Sequence, residues 1–95
     1  MSTALHAENL FIEAKNVTLD KAKQTTIFKD NVSIVTNNKK ITSQFAEYNK
    51  STEIVILKDN ILAQDKFQNT IKTNYAEYDN NKNILRLKAK LLLSL

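Results

Sequence analysis

Glycine, proline and cysteine are all missing from this chain of 95 residues. Without cysteine there is neither a disulfide framework nor a thiolate metal site, and the redox compartment is left open. Without glycine there is no phosphate-cradling loop of the usual kinds. Every turn must be built from Asn, Asp, Ser or Lys, of which Asn and Asp best tolerate left-handed backbone angles. His6 is the single histidine. It lies in an N-terminal stretch expected to fray, which makes it a poor metal ligand or triad member. No run approaches the roughly 20 apolar residues of a membrane-spanning helix. The opening Met1–Asn9 shows neither the charged start nor the apolar stretch of a secretion signal.

Charge is also limited. The net +4 comes from 14 Lys and Arg against 10 Asp and Glu, with lysines scattered over turns and alternate strand positions. No basic patch alternates with stacking aromatics along the sequence, so the charge reads as solvation and edge protection, and no nucleic-acid partner is expected. With 42% hydrophobic and 25% charged residues, the composition is that of a folded domain and argues against disorder. The length allows one domain at most, residues 1–95, of modest stability.

What the chain does have is a repeat. Ile12-Glu-Ala-Lys-Asn-Val-Thr-Leu-Asp20 returns as Ile41-Thr-Ser-Gln-Phe-Ala-Glu-Tyr-Asn49 and again as Ile71-Lys-Thr-Asn-Tyr-Ala-Glu-Tyr-Asp79, at steps of 29 and 30 residues. A second phrase follows the first two copies: Ile27-Phe-Lys-Asp-Asn-Val32 matches Ile56-Leu-Lys-Asp-Asn-Ile61. A period of this length is one supersecondary unit laid beside its neighbours. It directs attention to a continuous surface rather than a point-like active site.

Within each cycle, apolar residues alternate and are of strand-forming type. Leu10, Ile12 and Ala14 share a face, then the pattern steps by three to Val17 and Leu19; the same step separates Ser43 from Ala46 and Thr73 from Ala76. One extra residue in a period-two pattern predicts a bulge or sharp bend near Lys15-Asn16, Gln44-Phe45 and Asn74-Tyr75. Asp30-Asn31 and Asp59-Asn60 are either tight turns or kinks inside long strands. Turns are expected at 21–24, 37–38, 49–52, 65–66 and 80–81. The sum is an all-β meander of six to eight strands. Leu85 to Leu95 could form a helical stripe, but the alternation favours strand to about Lys90.

Catalysis finds little support. Glu47 and Glu77 occupy equivalent positions but alternate outward, as a solvated strand face would. Tyr48, Tyr78 and Phe28 fall on the inner face, and Phe45 and Tyr75 at the bends. No enzyme activity, cofactor or metal is expected.

The two phrases in fixed order at this period resemble the OstA-like repeat of the lipopolysaccharide-transport proteins LptA, LptC and the N-terminal domain of LptD, over roughly Leu10 to Leu87. That family commonly has glycine before the Asn-Val of the second phrase, where this chain has Asp30 and Asp59. The resemblance implies a curled antiparallel open β-jellyroll of about three 30-residue repeats, here a short or partial member. It also implies non-enzymatic binding of lipid A acyl chains, passage of lipopolysaccharide across the periplasm to the outer membrane, and edge-to-edge joining with like domains. By alternation, the acyl-lining interior is expected to include Ile12, Phe28, Ile34, Ile41, Tyr48, Leu57, Ile71 and Tyr78. Open edges predict homo-oligomers. The rival reading is a structural, oligomerising β-repeat with a solid core and no ligand. A weaker third, an oligosaccharide-binding module, would need aromatics on an exposed outer face.

Overall fold

The computed structural model describes residues 3–7 and 10–87. The expectation for the tail beyond Leu87 lies outside the described residues. Along the described residues eight strands follow one another: β1 (Thr3–Ala7), β2 (Leu10–Ala14), β3 (Asn16–Asp20), β4 (Thr25–Thr36), β5 (Lys39–Asn49), β6 (Ile54–Asp65), β7 (Thr70–Asp79) and β8 (Ile84–Leu87). Among the described residues there is no helix. All pairings are antiparallel, in the order β1-β2-β4-β5-β6-β7-β8, with β3 on β4. The open meander expected from the alternation is therefore present. His6 pairs with Phe11 inside β1 rather than sitting in a frayed end.

The repeat is visible as turn chemistry. Asp20, Asn49 and Asp79 end equivalent strands, and the Oδ1 of each accepts two turn amides: Ala22 and Lys23, Ser51 and Thr52, Asn81 and Lys82. This side-chain mimic of a backbone turn replaces the glycine chemistry that the chain lacks. Each of these turns closes on a left-handed residue, Gln24, Glu53 or Asn83, at φ of 54°, 58° and 56°. The turns also stack, since the Lys50 amide donates to the Gln24 carbonyl and the Asn80 amide to the Glu53 carbonyl. At the opposite side the hydroxyl of Thr36 and the carboxylate of Asp65 do the same work, accepting from Asn38 and Lys39, and from Phe67 and Asn69.

Asp30-Asn31 and Asp59-Asn60 are kinks within continuous strands. All four residues have positive φ, 68° and 53° in the first pair and 68° and 52° in the second. The registers shift at these points, between Lys29 and Val32 and between Lys58 and Ile61. The sequence pattern suggested the irregularity at Gln44-Phe45 and Asn74-Tyr75. Those positions do lie on the bend, but the additional residue sits on β4 and β6, where two left-handed residues in succession turn the strand. Ser43 Oγ donates to the Phe45 carbonyl at 3.0 Å and Thr73 Oγ1 to the Tyr75 carbonyl at 3.4 Å, satisfying backbone oxygens freed by the bend. Between β2 and β3 the Lys15 amide donates to the Asp30 carbonyl, so the bend line crosses the first copy too.

One bend line crossing five successive strand segments divides the sheet into two leaves. The first leaf holds β1, β2, the second halves of β4 and β6, and the first halves of β5 and β7; the second holds β3, β8 and the remaining halves. A single flat sheet cannot exclude water from either face, yet Ile12, Phe28, Ile34, Ile41, Val55 and Leu57 have no exposed surface. Each leaf therefore covers the other, and their inner faces form a single apolar cluster.

Candidate functional site

Cross-strand register arranges the inner residues in rows. On the first leaf the row is Ile12, Ile34, Ile41, Ala63, Ile71. On the second leaf one row runs Val17, Phe28, Ala46, Leu57, Ala76, Leu87, and another Thr26, Tyr48, Val55, Tyr78, Leu85. Of the eight residues expected to line the interior, Ile12, Phe28, Ile34, Ile41, Tyr48, Leu57 and Tyr78 are buried and share this cluster. They form three rows on two facing leaves rather than one strip.

Ile71 departs from the expectation that it buries like Ile41. It is 41% exposed, although it occupies the same place in the repeat and the same row. Ile41 has β4 on one side and β6 on the other; among the described residues, Ile71 has only β6 beside it, because β8 pairs with the second half of β7 alone. Leu87, at the end of its own row, is also 41% exposed. Leu19, expected inside with Val17, is 62% exposed on the border strand β3. The interior is thus sealed in the middle strands and reaches the surface at both lateral ends. Leu85 and Leu87 escape a reading of the sequence as lining residues, because their place depends on β8 pairing with only half of β7.

At the far ends of the leaves Tyr78, on the second leaf, donates its hydroxyl to Asn83 Oδ1 at 2.6 Å, beside a concavity of about 180 Å3 that Thr36 of the first leaf also lines. Burial raises the phenol pKa of Tyr78 above the ordinary value of 10.0, with the neighbouring Thr36 hydroxyl opposing and the charge of Asp79 adding. Tyr48 is raised for the same first reason, helped by Glu53. Asp65 is lowered, chiefly by the Asn69 side-chain and backbone donors, which fits its role in the turn.

The outer face carries a row that is not apparent along the chain. Register places Asn16, Lys29, Phe45, Lys58 and Tyr75 side by side across five strands. The Lys58 ammonium stands 5.4 Å from the centre of the Phe45 ring. Lysines and aromatics that looked scattered in sequence therefore alternate in space. The signal was available in the repeat: Lys-Asp-Asn and Phe45/Tyr75 recur at 29 and 30 residues, and hairpin register brings them together. Glu47 and Glu77 face outward as expected, in the next row with Ile27, Ile56 and Arg86. Among the described residues no group of His, Asp and Glu could hold a metal ion.

No protein-family model, no curated protein and no solved structure matches the chain.

Proposed function

We propose that this protein is a non-enzymatic carrier module for an amphiphile with long acyl chains, of the lipopolysaccharide kind, working in the periplasm beside further β-modules joined at its edges. The observation that carries the reading is the apolar interior of a sheet folded over on itself and left unclosed. Its rows run without interruption from the sealed middle to exposed Ile71 and Leu87. Acyl chains would enter at that end, against Ile71, Leu85 and Leu87, and go deeper only as the leaves part. Methylenes buried at roughly 0.8 kcal/mol each supply affinity without directional bonds, which suits cargo that must be handed on. A neighbouring module that added strands to β7 and β8 would extend the strip.

One observation favours the second reading, a structural repeat with a solid core. Ile12, Phe28, Ile34, Ile41 and Leu57 are completely covered by other side chains, leaving no groove in the middle strands. Organic extraction of the purified protein followed by mass spectrometry separates the two. Lipid A-type acyl chains in stoichiometric amount support the carrier. Lipid-free protein that also fails to take up short-chain lipopolysaccharide in a titration supports the solid repeat.

A further inference from the structure

We infer that the outer side of the bend is a glycan-binding surface, built around the rings of Phe45 and Tyr75 and the polar groups of Asn60, Lys72 and Asn74. The inference does not rest on the carrier reading, because these residues lie at the bend and outer face, not among the sealed inner rows.

Phe45 and Tyr75 occupy one row with β6 between them, so their backbones are two strand spacings apart, about 9.5 Å. Both are half-buried, each held by its neighbours with part of the side chain still open to solvent. Their mounting is the same in the two copies. From the inner side Ser43 and Thr73 bond to the carbonyls of Phe45 and Tyr75, so the backbone under each aromatic is fixed before any ligand arrives. Lys58 stands between them and holds its ammonium near the Phe45 ring. At the bend between β6 and β7 lies an open concavity of about 410 Å3, lined by Asn60, Ile61, Leu62, Lys72, Thr73 and Asn74, the last of which precedes Tyr75 in the chain. Asn60 and Asn74 bring two amides to it and Lys72 an ammonium, beside the partly exposed Leu62; Ile61 is buried in the core and the Thr73 hydroxyl is already bonded to the Tyr75 carbonyl.

The chemistry of the occupant follows from the balance of these groups. Flat rings offer a stacking surface to any ligand with an apolar face. Asn supplies both donors and acceptors, and Lys donors only. A sugar ring matches this set, with one C–H face and a rim of hydroxyls that both donate and accept. A nucleic-acid strand would use the same rings, but it needs a net positive track. Here each lysine of the row, Lys29 and Lys58, is followed by a carboxylate, Asp30 and Asp59, and each aromatic is followed two residues later by Glu47 or Glu77. Acid thus alternates with base along these segments instead of forming a continuous basic track, which favours a neutral, hydroxyl-rich chain over a polyanion.

The test is a titration of isotope-labelled protein, followed by amide NMR shifts, with neutral hexasaccharides of glucose and of N-acetylglucosamine. Shifts are expected at 44–45, 58–60 and 72–75 and not at the inner Ile34. Tyr75→Ala should weaken binding by about tenfold, Tyr75→Phe should leave it unchanged, and the exposed Asn74→Ala should weaken it severalfold, so the proposal remains testable if Tyr75→Ala fails to fold. No shift with either glycan at about 10 mM would overturn the proposal. So would tighter binding of single-stranded oligothymidine to the same amides with a steep salt dependence, which would make the surface a nucleic-acid site.

Discussion

Ile41 and Ile71 are the same residue at the same place in the repeat and in the same cross-strand row, yet one is sealed and the other is 41% exposed. Truncating each to alanine isolates what the second neighbouring strand contributes. Ile→Ala removes three carbons, about 2.4 kcal/mol of transfer free energy at roughly 0.8 kcal/mol each. At Ile41 the two leaves cannot collapse fully around the loss, so the residual cavity brings the cost to about 3–4 kcal/mol. At Ile71 about three fifths of the side chain is covered and solvent fills the space, which leaves about 1.4 kcal/mol and no cavity contribution. With a urea slope of about 1 kcal/mol per molar for a domain of this size, the midpoint should fall by about 3–4 M for Ile41→Ala and by about 1 to 1.5 M for Ile71→Ala. Ile41→Val, expected to cost about 1 kcal/mol, covers the case in which the alanine variant does not fold. Equal losses at the two positions would mean that the last half-strand is covered in solution, and would refute the open end.

Three further outcomes follow from particular contacts. The Thr25 hydroxyl is buried without a hydrogen-bond partner among the described residues, so the near-isosteric Thr25→Val should raise stability by about 1 kcal/mol in the same urea assay. Asn60, at a φ of 52°, should accept glycine with little change, whereas Asn60→Val should cost about 1–2 kcal/mol because a branched Cβ opposes the left-handed kink. The raised pKa values of Tyr48 and Tyr78 mean that the folded state holds their protons more tightly than the unfolded chain does. That contribution is complete below about pH 10 and is lost as pH rises through the folded values, so urea midpoints should drop as pH is raised above about 10 and drop less in the Tyr48→Phe, Tyr78→Phe variant.

The parts of the fold legible in the sequence are those specified by local chemistry repeated in phase. Asp20, Asn49 and Asp79 announce their turns because a short side-chain acceptor two or three residues ahead of free amides is a local device. Alternation placed Phe28, Ile34, Leu57 and Tyr78 inside for the same reason. What remained hidden depends on partners distant in sequence. Ile71 and Leu19 have the pattern of core residues and are exposed because strands beside them are missing among the described residues, which no periodicity within the strand records. Asp30-Asn31 could be read as a turn or a kink, and only pairing on both sides with β5 decides for the kink. The Lys29, Phe45, Lys58, Tyr75 row required registers across four strands, so along the chain its members looked unrelated.

The carrier reading is tested most directly by a photo-reactive amino acid placed in turn at Ile71, at Ile41 and at Glu47, followed by illumination with lipopolysaccharide micelles. Strong capture at Ile71, weaker capture at the sealed Ile41 and none at the outward Glu47 is the expected result. Labelling at Glu47 equal to that at Ile71, or no capture at either inner position, would contradict an acyl-binding interior and leave the solid structural repeat.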